Sequence, residues 1–179
     1  MADFVTEYFD EVATIAKCVD KSQIEDIVRR LNEVKDKRGR VFVLGVGGSA
    51  GNASHMVNDL RKLAGIQTYA PTDNVSELTA RTNDEGFDTI FEEYLKVSNC
   101  SLLDAIFVLS VGGGNEEKNV SVNLIKAIKY AKGVGCAVLG IVGKKDGYTA
   151  QNGDCVITVP LVEPSRITPH SEAFQSVIW

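Results

Sequence analysis

The chain has no apolar stretch approaching the length of a membrane span, so nothing in its 179 residues reads as a transmembrane helix. It has no excess of positive charge either. With 24 Asp and Glu against 19 Lys and Arg, the net charge is -5 and the pI is near 5.1, which argues against a nucleic-acid partner or an anionic membrane surface. The partners expected are small molecules or copies of the chain itself. Its four cysteines, Cys18, Cys100, Cys136 and Cys155, show no C-x-x-C spacing, and three sit in or beside apolar runs. That pattern fits buried thiols in a reducing cytoplasm. No repeat, linker or low-complexity tract interrupts the sequence, and Met1-Ala2-Asp3 opens an acidic amphipathic segment rather than a signal peptide.

What is present suits one α/β domain. At 44% hydrophobic content, the length allows one full core and would cramp two. Two amphipathic helices come first, over residues 1–38. In one, Phe4, Tyr8, Val12, Ile15, Ala16 and Val19 share a face; in the other, Ile24, Ile27, Val28, Leu31 and Val34 repeat the spacing after Ser22, with Glu25 completing a capping box. From residue 39 onward, apolar runs at 41–44, 105–109, 137–142 and 155–159 read as buried strands, with 66–70 a shorter fifth. Helical patterns at 53–63, 88–97 and 120–132 lie between them, the order of βαβ units around a parallel sheet. Thr168-Pro169 reads as the N-cap and first residue of a last helix.

In the segment Val41-Phe42-Val43-Leu44-Gly45-Val46-Gly47-Gly48-Ser49, an apolar run empties into small residues just before a helical pattern begins. This predicts a strand, a phosphate-sized turn and a helix N-terminus, where glycines admit an anion and the free amides and dipole favour negative charge. The spacing fits neither G-x-G-x-x-G nor G-x-x-x-x-G-K-[ST], so no nucleotide cofactor is expected. A second glycine-rich turn, Ser110-Val111-Gly112-Gly113-Gly114-Asn115, follows the 105–109 strand. In open α/β sheets ligands bind outside the carboxyl ends of the strands, and two such turns are a stronger anion signal than either alone. His55 and Asp59, four apart, share a helix face within reach of a common ion; a helix-end histidine and a solvated aspartate are the plain alternative.

These residues resemble the sugar isomerase (SIS) domain family, and within it the phosphoheptose isomerases, in which a G-x-G-G-S turn precedes a helix carrying His and, four residues on, an acid. The resemblance runs through nearly the whole chain, including Asn83-Asp84-Glu85-Gly86 and Val142-Gly143-Lys144-Lys145-Asp146-Gly147. It implies a single flavodoxin-like, three-layer α/β domain with a central parallel sheet and a helical N-terminal extension. It implies a homotetramer built on that extension, with active sites between subunits, in the cytoplasm. The implied reaction converts sedoheptulose 7-phosphate to D-glycero-D-manno-heptose 7-phosphate, on the route to bacterial lipopolysaccharide or capsule heptose. Such a ketose-to-aldose change moves a proton between adjacent carbons through an enediol. Asp59 and His55 are the implied acid/base pair, and with Glu172 they form the implied zinc set. Substrate contacts carry over to Gly47, Gly48, Ser49 and Asn52, to Asn83 and Asp84, to Ser110, Gly112, Gly113, Gly114 and Asn115, and to Glu172.

Three departures keep open a second possibility, a non-catalytic SIS protein acting as a sugar-phosphate sensor or protein-binding adaptor. The family's S-T-S-G-N-S phosphate loop is replaced here by Ser110-Val111-Gly112-Gly113-Gly114-Asn115. The family's catalytic glutamate corresponds to Asp59. On the last helix Glu172 is the nearest counterpart of a glutamine, and the histidine eight residues later would fall at position 180, one beyond Trp179; His170 is the other histidine present.

Overall fold

The computed structural model describes residues 3–179 of the chain. Among the described residues five strands, β1 (Arg40–Gly45), β2 (Gln67–Tyr69), β3 (Ala105–Ser110), β4 (Ala137–Val142) and β5 (Cys155–Thr158), form a single sheet in the order β2-β1-β3-β4-β5, every neighbouring pair parallel. The strands are almost unbroken Val, Ile, Leu and Phe because both faces of the sheet are covered. Alternation sends Val41, Val43, Phe107, Leu109 and Ile141 to one face and Phe42, Leu44, Ile106, Val108 and Val138 to the other.

Four helices cover the first face: α1 (Phe4–Cys18), α2 (Lys21–Asp36), α3 (Gly48–Lys62) and α8 (Ile167–Ile178). The second face is covered by α4 (Val75–Asp84), α5 (Ile90–Val97), α6 (Val122–Gly133) and the short α7 (Tyr148–Asn152). The three-layer arrangement agrees with the expected fold, and no helix of the described residues is long and apolar enough to cross a membrane.

Several boundaries differ from expectation for local reasons. α2 is capped by Asp20, whose Oδ1 accepts from the amides of Ser22 and Gln23 at 3.0 and 3.3 Å. The chain leaves α1 extended at Val19, so the first free amides are those of 22 and 23, and Ser22 lies inside the helix rather than at its cap. α8 starts at Ile167 behind a 3-10 turn (Pro164–Arg166). Pro169 is therefore its third residue, a position whose missing N–H costs nothing because no intrahelical acceptor exists there. In α1, Ile15 is buried while Phe4 of the stripe and Phe9 beside it remain 61% and 65% exposed, so the start of α1 presents apolar surface with no cover within one chain.

The base of the sheet is tied by Asp104, buried under β1. Its Oδ1 accepts from the Arg40 amide at 2.9 Å, and its Oδ2 accepts from Arg40 Nη2 and the Ser101 amide, each at 2.9 Å. Burial pushes this carboxyl up, but the bonds from Arg40 and Ser101 outweigh it and hold the group below the usual carboxylate range.

Candidate active site

With β1 beside β3 and the chain passing outward to β2 between them, the loops that follow β1 and β3 diverge. A crevice opens at their carboxyl ends, where open α/β sheets bind ligands. After β1 the chain turns at Gly47, whose φ of +66° suits glycine, and enters α3.

The first turn of α3 is already engaged. A Cβ on Gly48 would lie 2.5 Å from Glu172 Oε2, so glycine at 48 is what lets this carboxylate reach the positive end of the helix. Gln175, fully buried on α8, donates from Nε2 to Ser49 Oγ at 3.0 Å and accepts at Oε1 from Asn52 Nδ2 at 2.8 Å. Asn52 Nδ2 also donates to the Glu172 carbonyl at 2.9 Å. Ser49, Asn52 and Glu172 are thus bound into an α3–α8 seam, and an anion at this turn would meet the Glu172 carboxylate. Gln175, absent from the sequence-based set, is the buried amide of that seam; its place among buried Ser171 and Phe174 on one helix face was the available signal.

The loop after β3 is also committed in part. Ser110 Oγ accepts from the Gly113 amide at 3.0 Å. The Gly113 carbonyl accepts from the Thr149 amide and hydroxyl at 2.9 and 2.7 Å, and the Gly114 carbonyl accepts from the Tyr148 amide at 2.9 Å. Positive φ at both glycines (72° and 88°) turns these carbonyls onto the start of α7. Asn115 and Val120 exchange amide-to-carbonyl bonds of 2.9 and 3.0 Å, closing a short tongue, 115–120, ahead of α6.

Beyond the tongue, a cavity of about 410 Å³ is lined by Val46, Phe87, Asp88, Ser121, Val122 and Asn123. Asn123 is 2% exposed. Its Oδ1 accepts from the Leu124 amide at 2.8 Å, while its buried Nδ2 has no partner among the described residues. It stands in the first turn of α6, where free amides and the dipole already favour an anion. Ser121, the α6 N-cap, is left-handed and makes no capping bond. At the rim Asp88 is paired with Lys126, whose hydrogen bond holds the Asp88 carboxyl below its ordinary range.

Sequence reasoning did not single out Phe87, Asp88, Ser121 and Asn123, because it followed the glycines of 112–114 at the start of the same β3–α6 connection; the Ser121-Val122-Asn123 start of an apolar helix was the clue. Asn83 and Asp84 are exposed at the end of α4, joined by a 2.7 Å bond from Asn83 Nδ2 to Asp84 Oδ1, and do not line this cavity.

His55 and Asp59 do meet: Nε2 stands 3.6 Å from Asp59 Oδ2, and Asn58 Nδ2 donates to Asp59 Oδ1 at 2.9 Å. They lie on α3, across the sheet from α6. Asp59 is also about 16 Å along the helix axis from Gly48, at about 1.5 Å per residue, where Glu172 rests. No three His, Cys, Asp or Glu of the described residues converge to hold a metal. The implied zinc set of His55, Asp59 and Glu172 is therefore not assembled within one chain.

Comparison with known proteins places this geometry. The SIS domain family profile matches residues 7–143. The chain is 30% identical over 164 residues to the phosphoheptose isomerase of Syntrophotalea carbinolica, spanning 87% of this chain and 80% of that one. It is 28% identical over 181 residues to that of Aliarcobacter butzleri, spanning 97% and 92%. The solved phosphoheptose isomerase of Francisella tularensis shares the fold with a TM-score of 0.81 at 21% identity, over 98% of this chain and 94% of that one.

Proposed function

This chain belongs to the SIS domain family, and on that premise we propose that it is a phosphoheptose isomerase, interconverting sedoheptulose 7-phosphate and D-glycero-D-manno-heptose 7-phosphate. The observation that carries the reading is the cleft at α6: a buried amide donor without a partner, at a helix N-terminus, in a cavity of about 410 Å³. Asn123 Nδ2 and the first-turn amides hold the phosphate. The carbon chain extends past Val46 towards Asp88, whose carboxylate accepts from sugar hydroxyls. A base removes the proton from the carbon beside the ketone while an acid protonates the carbonyl oxygen; the enediol then takes a proton on the former carbonyl carbon as the hydroxyl on the first carbon gives up its own, leaving the aldehyde.

His55 and Asp59 are the acid/base pair of this reading. Since α3 and α6 cover opposite faces of one sheet, the pair acts in the cleft of another copy. The assembly is a homotetramer, to which the exposed Phe4 and Phe9 of α1 bring unburied apolar surface. The setting is the cytoplasm and the product feeds surface heptose. The non-catalytic alternative is the weaker reading, since the Syntrophotalea carbinolica and Aliarcobacter butzleri relatives carry isomerase names.

The test is NMR of sedoheptulose 7-phosphate with the protein in D2O. Appearance of the aldose carrying one solvent deuterium at C2 is expected. Binding without conversion would replace the enzyme reading with a sensor.

A further inference from the structure

His55 is 65% exposed at its side chain, and an imidazole so open to water samples several rotamers unless something holds it. Asp59 touches it at 3.6 Å, a loose contact. The other neighbour is Trp179, at the end of α8, whose ring meets the imidazole edge-on with centroids 5.0 Å apart and planes at 80°. That geometry falls in the range aromatic pairs prefer.

The indole is itself well anchored. With Ile178 it packs among Ile24, Ile27, Val28 and Leu31 of α2 and Met56 and Leu60 of α3, around a gap of only about 40 Å³. It is a wall fixed by three helices, standing beside the more exposed side chain of the His55–Asp59 pair. The indole N–H is buried and has no partner among the described residues, although a buried tryptophan usually finds one. The ring surface, and not a hydrogen bond, is therefore what this position supplies.

We infer that Trp179 is a positioning residue for His55, limiting the imidazole to the rotamer that faces Asp59. The inference rests on the isomerase reading only for its kinetic consequence. The chain has two histidines, and the second, His170, is stacked on Tyr8 at 4.6 Å, so its resonances report the fold independently.

The experiment records imidazole proton resonances and steady-state isomerisation for the full chain and for Trp179→Leu and Trp179→Phe. In the wild type the His55 signals are displaced by the indole ring current. Leu moves them towards free imidazole, Phe keeps part of the displacement, and the His170 signals stay in place in all three. Trp179→Leu lowers kcat about tenfold or more with KM little changed, as a misplaced group does, and Phe recovers most of the loss. His55 signals equal in wild type and Trp179→Leu, or an unchanged kcat in Trp179→Leu, overturn the inference. A wild type without isomerase activity whose His55 signals still depend on Trp179 leaves the positioning intact and removes the isomerase reading alone.

Discussion

Replacing Asn123 with leucine separates binding from stability. Leucine has nearly the shape of asparagine, so the core around α6 keeps its packing. The substitution removes a buried donor without a partner, a relief of about 1–3 kcal/mol, and loses the bond from the Leu124 amide to Oδ1, a cost of about 1 kcal/mol. The ligand-free protein is thus expected to be as stable as the wild type or more so. Binding behaves differently. A hydrogen bond to a charged group contributes about 1.5–3 kcal/mol, and about 2 kcal/mol corresponds to about 30-fold in affinity. At a sugar-phosphate concentration of about 100 Kd the wild type gains about 2.7 kcal/mol, and the variant at that same concentration gains about 0.9 kcal/mol. For a chain of this size that is a ligand-induced rise in Tm of about 5–11 °C falling to about 2–4 °C. Calorimetric melting with and without sedoheptulose 7-phosphate, and titration with inorganic phosphate, read both quantities. A full ligand shift in Asn123→Leu would refute phosphate binding at α6, and a marked fall in ligand-free Tm would show that Nδ2 is satisfied in the folded protein.

Asp104→Ala leaves the first amide of β1 without its acceptor and the Arg40 guanidinium, still bonded to the Ser98 and Asn99 carbonyls, without its counter-ion, and a loss of about 3–5 kcal/mol is expected by urea unfolding. Because the folded Asp104 carboxyl lies below its ordinary value, the stability it contributes is present above about pH 4 and is lost as pH falls through the folded pKa, the unfolded chain taking up the proton first; the gap between wild type and variant must narrow only on the acid side. Gln175→Ala opens the α3–α8 seam and should cost about 1–3 kcal/mol by the same measurement, and an unchanged midpoint would mean that the seam is filled by water. Asp59→Asn is expected to lower kcat by about 10²–10⁴-fold while leaving the sugar-phosphate Tm shift in place, since α6 is on the other face; equal activity in wild type and variant would remove Asp59 from the chemistry.

The sequence by itself determined the strands and their layering. Consecutive residues such as Val41 and Phe42, or Ile106 and Phe107, are both apolar, which suits a strand covered on both faces, and the i, i+3, i+4 stripe of α2 marks a face that does the covering. These patterns are legible because they depend on neighbours a few residues away. It also pointed to the carboxyl ends of β1 and β3 as the place to look for an anion site, since glycine runs before helices let a ligand approach the backbone and the first helical amides. Which of the two turns is open was decided only by the tertiary structure. Glu172 and Gln175, brought from the last helix, occupy the β1 turn, while Thr149 and Tyr148 draw the glycine carbonyls of the β3 loop onto α7, leaving Asn123 at the next helix start with an unmet donor. The same folding put His55 and Asp59 across the sheet from that donor. A side chain's free valence depends on partners far away in the chain, and no local periodicity encodes which of them arrive.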